Sequence, residues 1–274
     1  MSNKYVWRFV LGASILLIFV SRAISGTTQV SEEFIRSSVD FCRGYPLARL
    51  PEPSFPFHIN DDKTILCYDG DIYADQDLSV MHELRDGGIF VIRSRGGIPA
   101  SAIKIANILE SKMATVVIRD YCMSACAGFI YIATAITYVV KSSLVTWHAP
   151  RYQPPLCENS GLVGSVKTLE LWISLAAEVR EDYCKFWVLQ TKFFKKRGTD
   201  PNVLFLTQSP YVKKMIKLAG DQGLNMMDAV WMWHPRYHKS IFTTKVTYES
   251  YPESQDEVDE IARKLGLPKI IYDP

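Results

Sequence analysis

A chain of 274 residues, 48% hydrophobic and 22% charged, suffices for one sizeable core with appendages. Its formal net charge of +2 makes no field strong enough to hold nucleic acid, so no nucleic-acid partner is expected. No phosphate-binding P-loop, dinucleotide-binding glycine motif, HExxH pair or tandem repeat occurs.

Lys4 and Arg8 precede an uncharged apolar run from Phe9 to Val20, and Ala23-Ile24-Ser25 then offers small residues before Gly26. This is the pattern of a secretory signal peptide, short for a membrane span. The run from Tyr5 to Val20 serves equally as an uncleaved anchor. Residues 1–25 are therefore a signal peptide or membrane anchor, and the protein is expected to be periplasmic, secreted or membrane-anchored.

Export gives the six cysteines a meaning, because an exported chain can oxidise them. The preferred pairs are Cys157–Cys184 and Cys122–Cys126; the alternative is that some are small buried residues. No cysteine or histidine spacing suggests zinc, so no metal is expected.

Residues 26–62 read as a lead-in, with a short helix over 30–42 and prolines at 46, 51, 53 and 56. A strand is predicted over Lys63–Tyr68, a helix over Asp77–Arg85, a strand over Ile89–Arg93 and a helix over Pro99–Ser111. Ala114 to Ile118 is a β-branched run. It leads through Asp120-Tyr121-Cys122-Met123 to Ser124, then to Ala125-Cys126-Ala127-Gly128, a short apolar helix, a second β-rich run and Trp147-His148. Strands alternating with helices imply a parallel sheet with crossover connections, an α/β fold. A proline-rich loop over 149–163 follows, then a long helical stretch over 164–196, shorter helices over 201–207, 209–219 and 225–233, a strand over Ile241–Tyr248 and a helix over Gln255–Leu265.

Ser124 draws attention within this order. A serine on the turn between a strand and a helix is exposed beside unpaired backbone N–H groups, which can stabilise an oxyanion. An ordinary helix cap would place a serine there too.

The stretch from Ile65 to His148 resembles the Clp protease proteolytic subunit, within the Clp/crotonase superfamily. Cys67-Tyr68-Asp69-Gly70-Asp71-Ile72 matches its first strand and glycine turn, and Ser94-Arg95-Gly96-Gly97 resembles its Ser-Pro-Gly-Gly loop. Met123-Ser124-Ala125-Cys126-Ala127-Gly128 carries the serine in the nucleophile's place, and Trp147-His148-Ala149-Pro150 resembles its Ile-His-Gln-Pro motif. The Cys-x-Ser-Ala-Cys form is closer still to predicted periplasmic Clp-like proteins of bacteria. Asp221-Gln222-Gly223-Leu224-Asn225 resembles the stretch that opens with the triad aspartate, separated from His148 by more chain than usual. Asp228 is a second acid nearby, and either acid could be unrelated to catalysis.

The resemblance implies a Clp/crotonase-like fold of repeated strand-strand-helix units over 63–235, with 236–274 as a C-terminal tail. It implies serine peptidase chemistry through Ser124, His148 and Asp221, with an oxyanion hole from the Gly97 and Ala125 N–H groups. Substrates would be peptides or proteins, no cofactor is called for, and homo-oligomers are expected. The alternative is an inactive Clp-like binding or assembly module. An acyl-CoA enzyme would need the two N–H groups but no serine, and export argues against it. A second membrane span over 122–140 is a further rival. Three departures stand out: Arg95 replaces a proline, Thr134-Ala135-Ile136-Thr137 replaces a turn with glycine and a basic residue, and Trp233 replaces a glycine.

Overall fold

The computed structural model describes residues 30–45, 56–148, 177–201, 210–224 and 229–273. The chain divides into two compact units, Met1–Phe34 and Ile35–Pro274, and the sheet lies in the second. Residues 1–29 lie outside the described residues, as do Cys157, the proline-rich loop, residues 164–176 and nearly all of 201–207. Among the described residues no helix is long and apolar enough to cross a membrane.

Helix α1 (Glu32–Gly44) buries Ile35, Ser38, Val39 and Cys42, one stripe at helical spacing. Strands β1 (Phe57–Ile59), β2 (Ile65–Asp69), β3 (Ile89–Ser94) and β4 (Thr115–Met123) follow, with α2 (Pro99–Ser111) between β3 and β4. Every residue of β2 is buried, as expected of a parallel strand covered on both faces. Proline opens α2, where the missing N–H costs no helical bond, and Ala102, Ile103, Ile105, Ala106 and Leu109 are buried along it. Then come β5 (Ile136–Val139), β6 (Leu144–His148), α3 (Ala177–Lys196), α4 (Pro210–Asp221), β7 (Val230–Trp231), α5 (His238–Ile241), β8 (Lys245–Tyr248), α6 (Gln255–Lys264) and β9 (Ile270–Ile271).

These strands form one mixed, largely parallel nine-stranded sheet in an α/β fold. Strand β4 divides it. Val116–Ile118 pair with β5, whereas Tyr121–Met123 pair with β6. One arm continues from β5 to β8, the other from β6 through β7 to β9. The register with β3 shifts at the same place, and Asp120 takes φ +59°. Aspartate tolerates that left-handed conformation better than most residues.

Charged side chains fill the fork. The Arg119 guanidinium, 5% exposed, donates to Asp69 at 2.9 Å and Asp120 at 2.7 Å. Arg93 grips Asp69 with two bonds of 2.7 and 2.8 Å, and Arg43 reaches Asp120 at 3.4 Å. A disulfide joins Cys42 of α1 to Cys67 of β2, a pairing not foreseen from the sequence. Cys184 is also disulfide-bonded, and its partner lies outside the described residues.

Several elements differ from expectation. The stretch 225–233, expected to be helical, holds strand β7, because Val230 and Trp231 gain partners in both β6 and β9. Residues 77–85 form only a short 3₁₀ helix, Ser79–Glu83. The strand placed over Ile241–Tyr248 begins at Lys245, with Ile241 ending α5. The uncharged stretch 122–140 is no membrane span: it holds the end of β4, a turn and all of β5. Strands β1 and β9 were not anticipated. Residues 236–274, read as a tail, supply β8 and β9 to the sheet.

Behind β6, Trp147 stacks on Trp233 at 4.6 Å between ring centres. Nearby, His238 Nδ1 lies 2.8 Å from the Tyr131 hydroxyl, which lies 3.1 Å from that of Tyr248. Burial pushes the His238 imidazole down from 6.5 to about 4. The unfolded chain therefore binds a proton that the folded chain refuses across that interval. Stability should be unaffected above pH 6.5 and should fall by about 3 kcal/mol as pH drops toward 4. Denaturant melts across pH will show this slope, and His238→Asn, which does not titrate, should remove it. For the fork, Arg119→Ala should cost about 3 kcal/mol, since it removes the buried guanidinium shared by two carboxylates and leaves Asp69 to Arg93 and Asp120 to the more distant Arg93 and Arg43. A loss below 1 kcal/mol in denaturant melts would mean that the ion pairs do not hold the fork.

Candidate active site

Strand β4 ends at Met123, and Ser124 turns the chain with φ +53°. Two backbone bonds hold it there. Its N–H donates to the Thr146 carbonyl at 3.0 Å, and its carbonyl accepts from the Gly128 N–H at 2.8 Å. The expected helix after the serine is a single π turn, Cys126–Ile130. A disulfide joins Cys122 to Cys126, two residues either side of Ser124, with 5.3 Å between Cα atoms. The tight turn is thus tied to β6, to the following turn and across its own base.

The glycine pair completes the frame. Gly96 has φ +93°, and a Cβ there would lie 2.5 Å from the Met123 oxygen and 2.8 Å from Ser124 Cβ and the Ala125 nitrogen. Only glycine lets the loop approach the serine this closely. Gly97 bridges to Ile72: the Ile72 N–H donates to the Gly96 carbonyl and the Ile98 N–H to the Ile72 carbonyl. In such a bridge the N–H of the central residue, Gly97, points away from Ile72. The Ser94 hydroxyl accepts from the Gly96 N–H at 3.0 Å. Ala125, whose N–H is the second expected oxyanion donor, is buried directly after the serine.

His148 is the last residue of β6. Alternation along the strand sends Val145 and Trp147 into the main core and leaves His148 on the opposite face, exposed. Its Nε2 lies 2.7 Å from Ser124 Oγ. That is the distance a base needs to take a hydroxyl proton. Which atom donates follows from the tautomer: with the proton on Nδ1, Nε2 accepts from the serine. Ser124 is not the only group His148 contacts.

Asp221 is not brought to this pair. It is the exposed last residue of α4, and no hydrogen bond or ion pair joins it to His148. Asp228 lies outside the described residues. Among the described residues no three His, Cys, Asp or Glu side chains are placed to hold a metal ion. The Thr146 carbonyl, which anchors the serine's N–H, was not named from sequence. A main-chain acceptor leaves no mark in residue identity.

The arrangement can perform acyl transfer: a hydroxyl is hydrogen-bonded to an imidazole, the Ala125 N–H follows directly in the chain, and the Gly97 N–H is turned away from Ile72. Gly96→Ala should push Ser124 off His148 and slow its reaction with a fluorophosphonate on the order of a hundredfold. Labelling rates on folded protein, checked by circular dichroism, will measure this; an unchanged rate would show that the close approach is unnecessary. The chain matches no protein-family model and no curated protein.

Proposed function

We propose that this chain is an exported serine hydrolase of Clp/crotonase type, cleaving peptide bonds with Ser124 as nucleophile and His148 as base. The observation that carries the reading is the 2.7 Å contact between Ser124 Oγ and His148 Nε2 on a left-handed turn packed against Gly96. In this reading Ser124 Oγ attacks the substrate carbonyl as Nε2 takes its proton. The Gly97 and Ala125 N–H groups receive the oxyanion. Nε2 then returns the proton to the leaving amine, and a water deprotonated by the same imidazole releases the acyl group.

The Clp-like fold is supported by parallel pairing along β2, β3 and β4, with a crossover helix between β3 and β4. Export is supported by the disulfides Cys42–Cys67 and Cys122–Cys126, since such bonds persist where thiols are oxidised. Substrates are peptides or proteins. Homo-oligomers belong to the same reading, and so does membrane attachment through residues 1–25 if they are retained.

One observation favours the second reading, an inactive Clp-like binding module: Asp221, the acid that the resemblance names, is exposed at the end of α4. A fluorophosphonate should label the protein, and Ser124→Ala should abolish labelling without unfolding it. His148→Ala should slow labelling about a thousandfold or more. A folded protein that resists the probe favours the binding module. Asp221→Asn and Asp228→Asn, measured alongside, will identify which acid, if either, orients the imidazole.

A further inference from the structure

Two arginines close together at the end of β3 are used very differently. Arg93 is committed to Asp69 through two short bonds. Arg95, in the loop between β3 and Gly96, is exposed, and its Nη2 makes a long 3.5 Å bond to the Gly266 carbonyl. Among the described residues no carboxylate pairs with it. A guanidinium offers five donors in a planar fork, so most of its capacity is unspent.

Its position follows from the strand registers. His148, Val230 and Ile270 lie in one row across β6, β7 and β9. Strand β9 runs antiparallel to β6, so residues just ahead of Ile270 continue beyond the C-terminal end of β6. Gly266 belongs to that segment. The face also agrees. Leu144 packs against Val258, Ile261 and Ala262 of α6, and alternation puts His148 on the same side of β6 as Leu144. Arg95 therefore reaches from the glycine loop across the ends of β4 and β6 toward the segment flanking His148. Its bond to the Gly266 carbonyl puts the guanidinium against that segment.

We propose that Arg95 is a specificity-determining residue that selects substrates carrying a carboxylate close to the bond cleaved. The carboxylate is an Asp or Glu side chain or the free C-terminus of a peptide; both present the planar pair of oxygens that an arginine fork grips with two bonds. The proposal rests on the serine hydrolase reading.

The test uses two fluorophosphonates identical except that one ends in a carboxylate and the other in a carboxamide. Ser124 should react about tenfold faster with the carboxylate probe, and the preference should shrink as ionic strength rises. Arg95→Gln should bring the two rates together, Arg95→Glu should reverse their order, and Arg95→Lys should keep part of the preference. Equal rates in the unmodified protein, with labelling still dependent on Ser124, would overturn the role of Arg95 and leave the hydrolase reading standing. No Ser124-dependent labelling by either probe would overturn both. Digestion of a peptide library with free or amidated C-termini, read by mass spectrometry, separates the two sources. Cuts beside Asp or Glu in both sets support the side chain, and cuts confined to free C-termini support the terminus. Cuts with neither preference count against the proposal.

Discussion

Arg119 lies buried between the carboxylates of Asp69 and Asp120, at the point where β4 leaves β5 and takes up with β6. A straight β4 would keep one partner along that edge. The bulge at 119–121 lets the strand serve two, and the charges hold the bulged backbone in place. The second arm matters most for the site. Because β6 pairs with Tyr121–Met123, its end lies beside Ser124, and Thr146 is in position to accept the serine's N–H. A charge cluster that touches neither Ser124 nor His148 in any described contact thus decides where they meet.

Much of this was legible in the sequence because the signals were local. The β-branched run before Asp120 and the proline at the start of α2 mark elements whose partners do not alter their type. The Ser124–His148 pair was legible as a spacing within a recognisable pattern, and the glycine pair as a close approach awaiting a partner. Other features depended on distant residues. The 225–233 stretch contains a strand because β6 and β9 offer it hydrogen bonds, a tertiary decision that helical periodicity cannot anticipate. Cys42 and Cys67 belong to a helix and a strand whose packing no spacing rule reveals. Asp221 was named by similarity alone, and it stands at the exposed end of α4.

The site owes much of its form to main-chain atoms. The serine is held by carbonyl and N–H groups, and the expected oxyanion donors are N–H groups. The glycine loop approaches because side chains are absent there. Such a frame constrains the bond-breaking step while leaving residue identity at the rim open. Arg95 occupies one of these open positions, where a change of side chain can redirect recognition without disturbing the turn beneath it.

The bridge between Cys122 and Cys126 gives this turn a history as well as a shape. Closing a loop that short removes about 2 kcal/mol of freedom from the unfolded chain. It does so around Ser124, whose backbone is left-handed. The stabilisation is absent while the thiols are reduced. A newly made chain therefore carries its serine on a looser turn, and the turn is drawn tight only after an oxidation that the polypeptide cannot perform alone. Maturation of the site is in that sense a chemical event, set by the surroundings in which the chain folds.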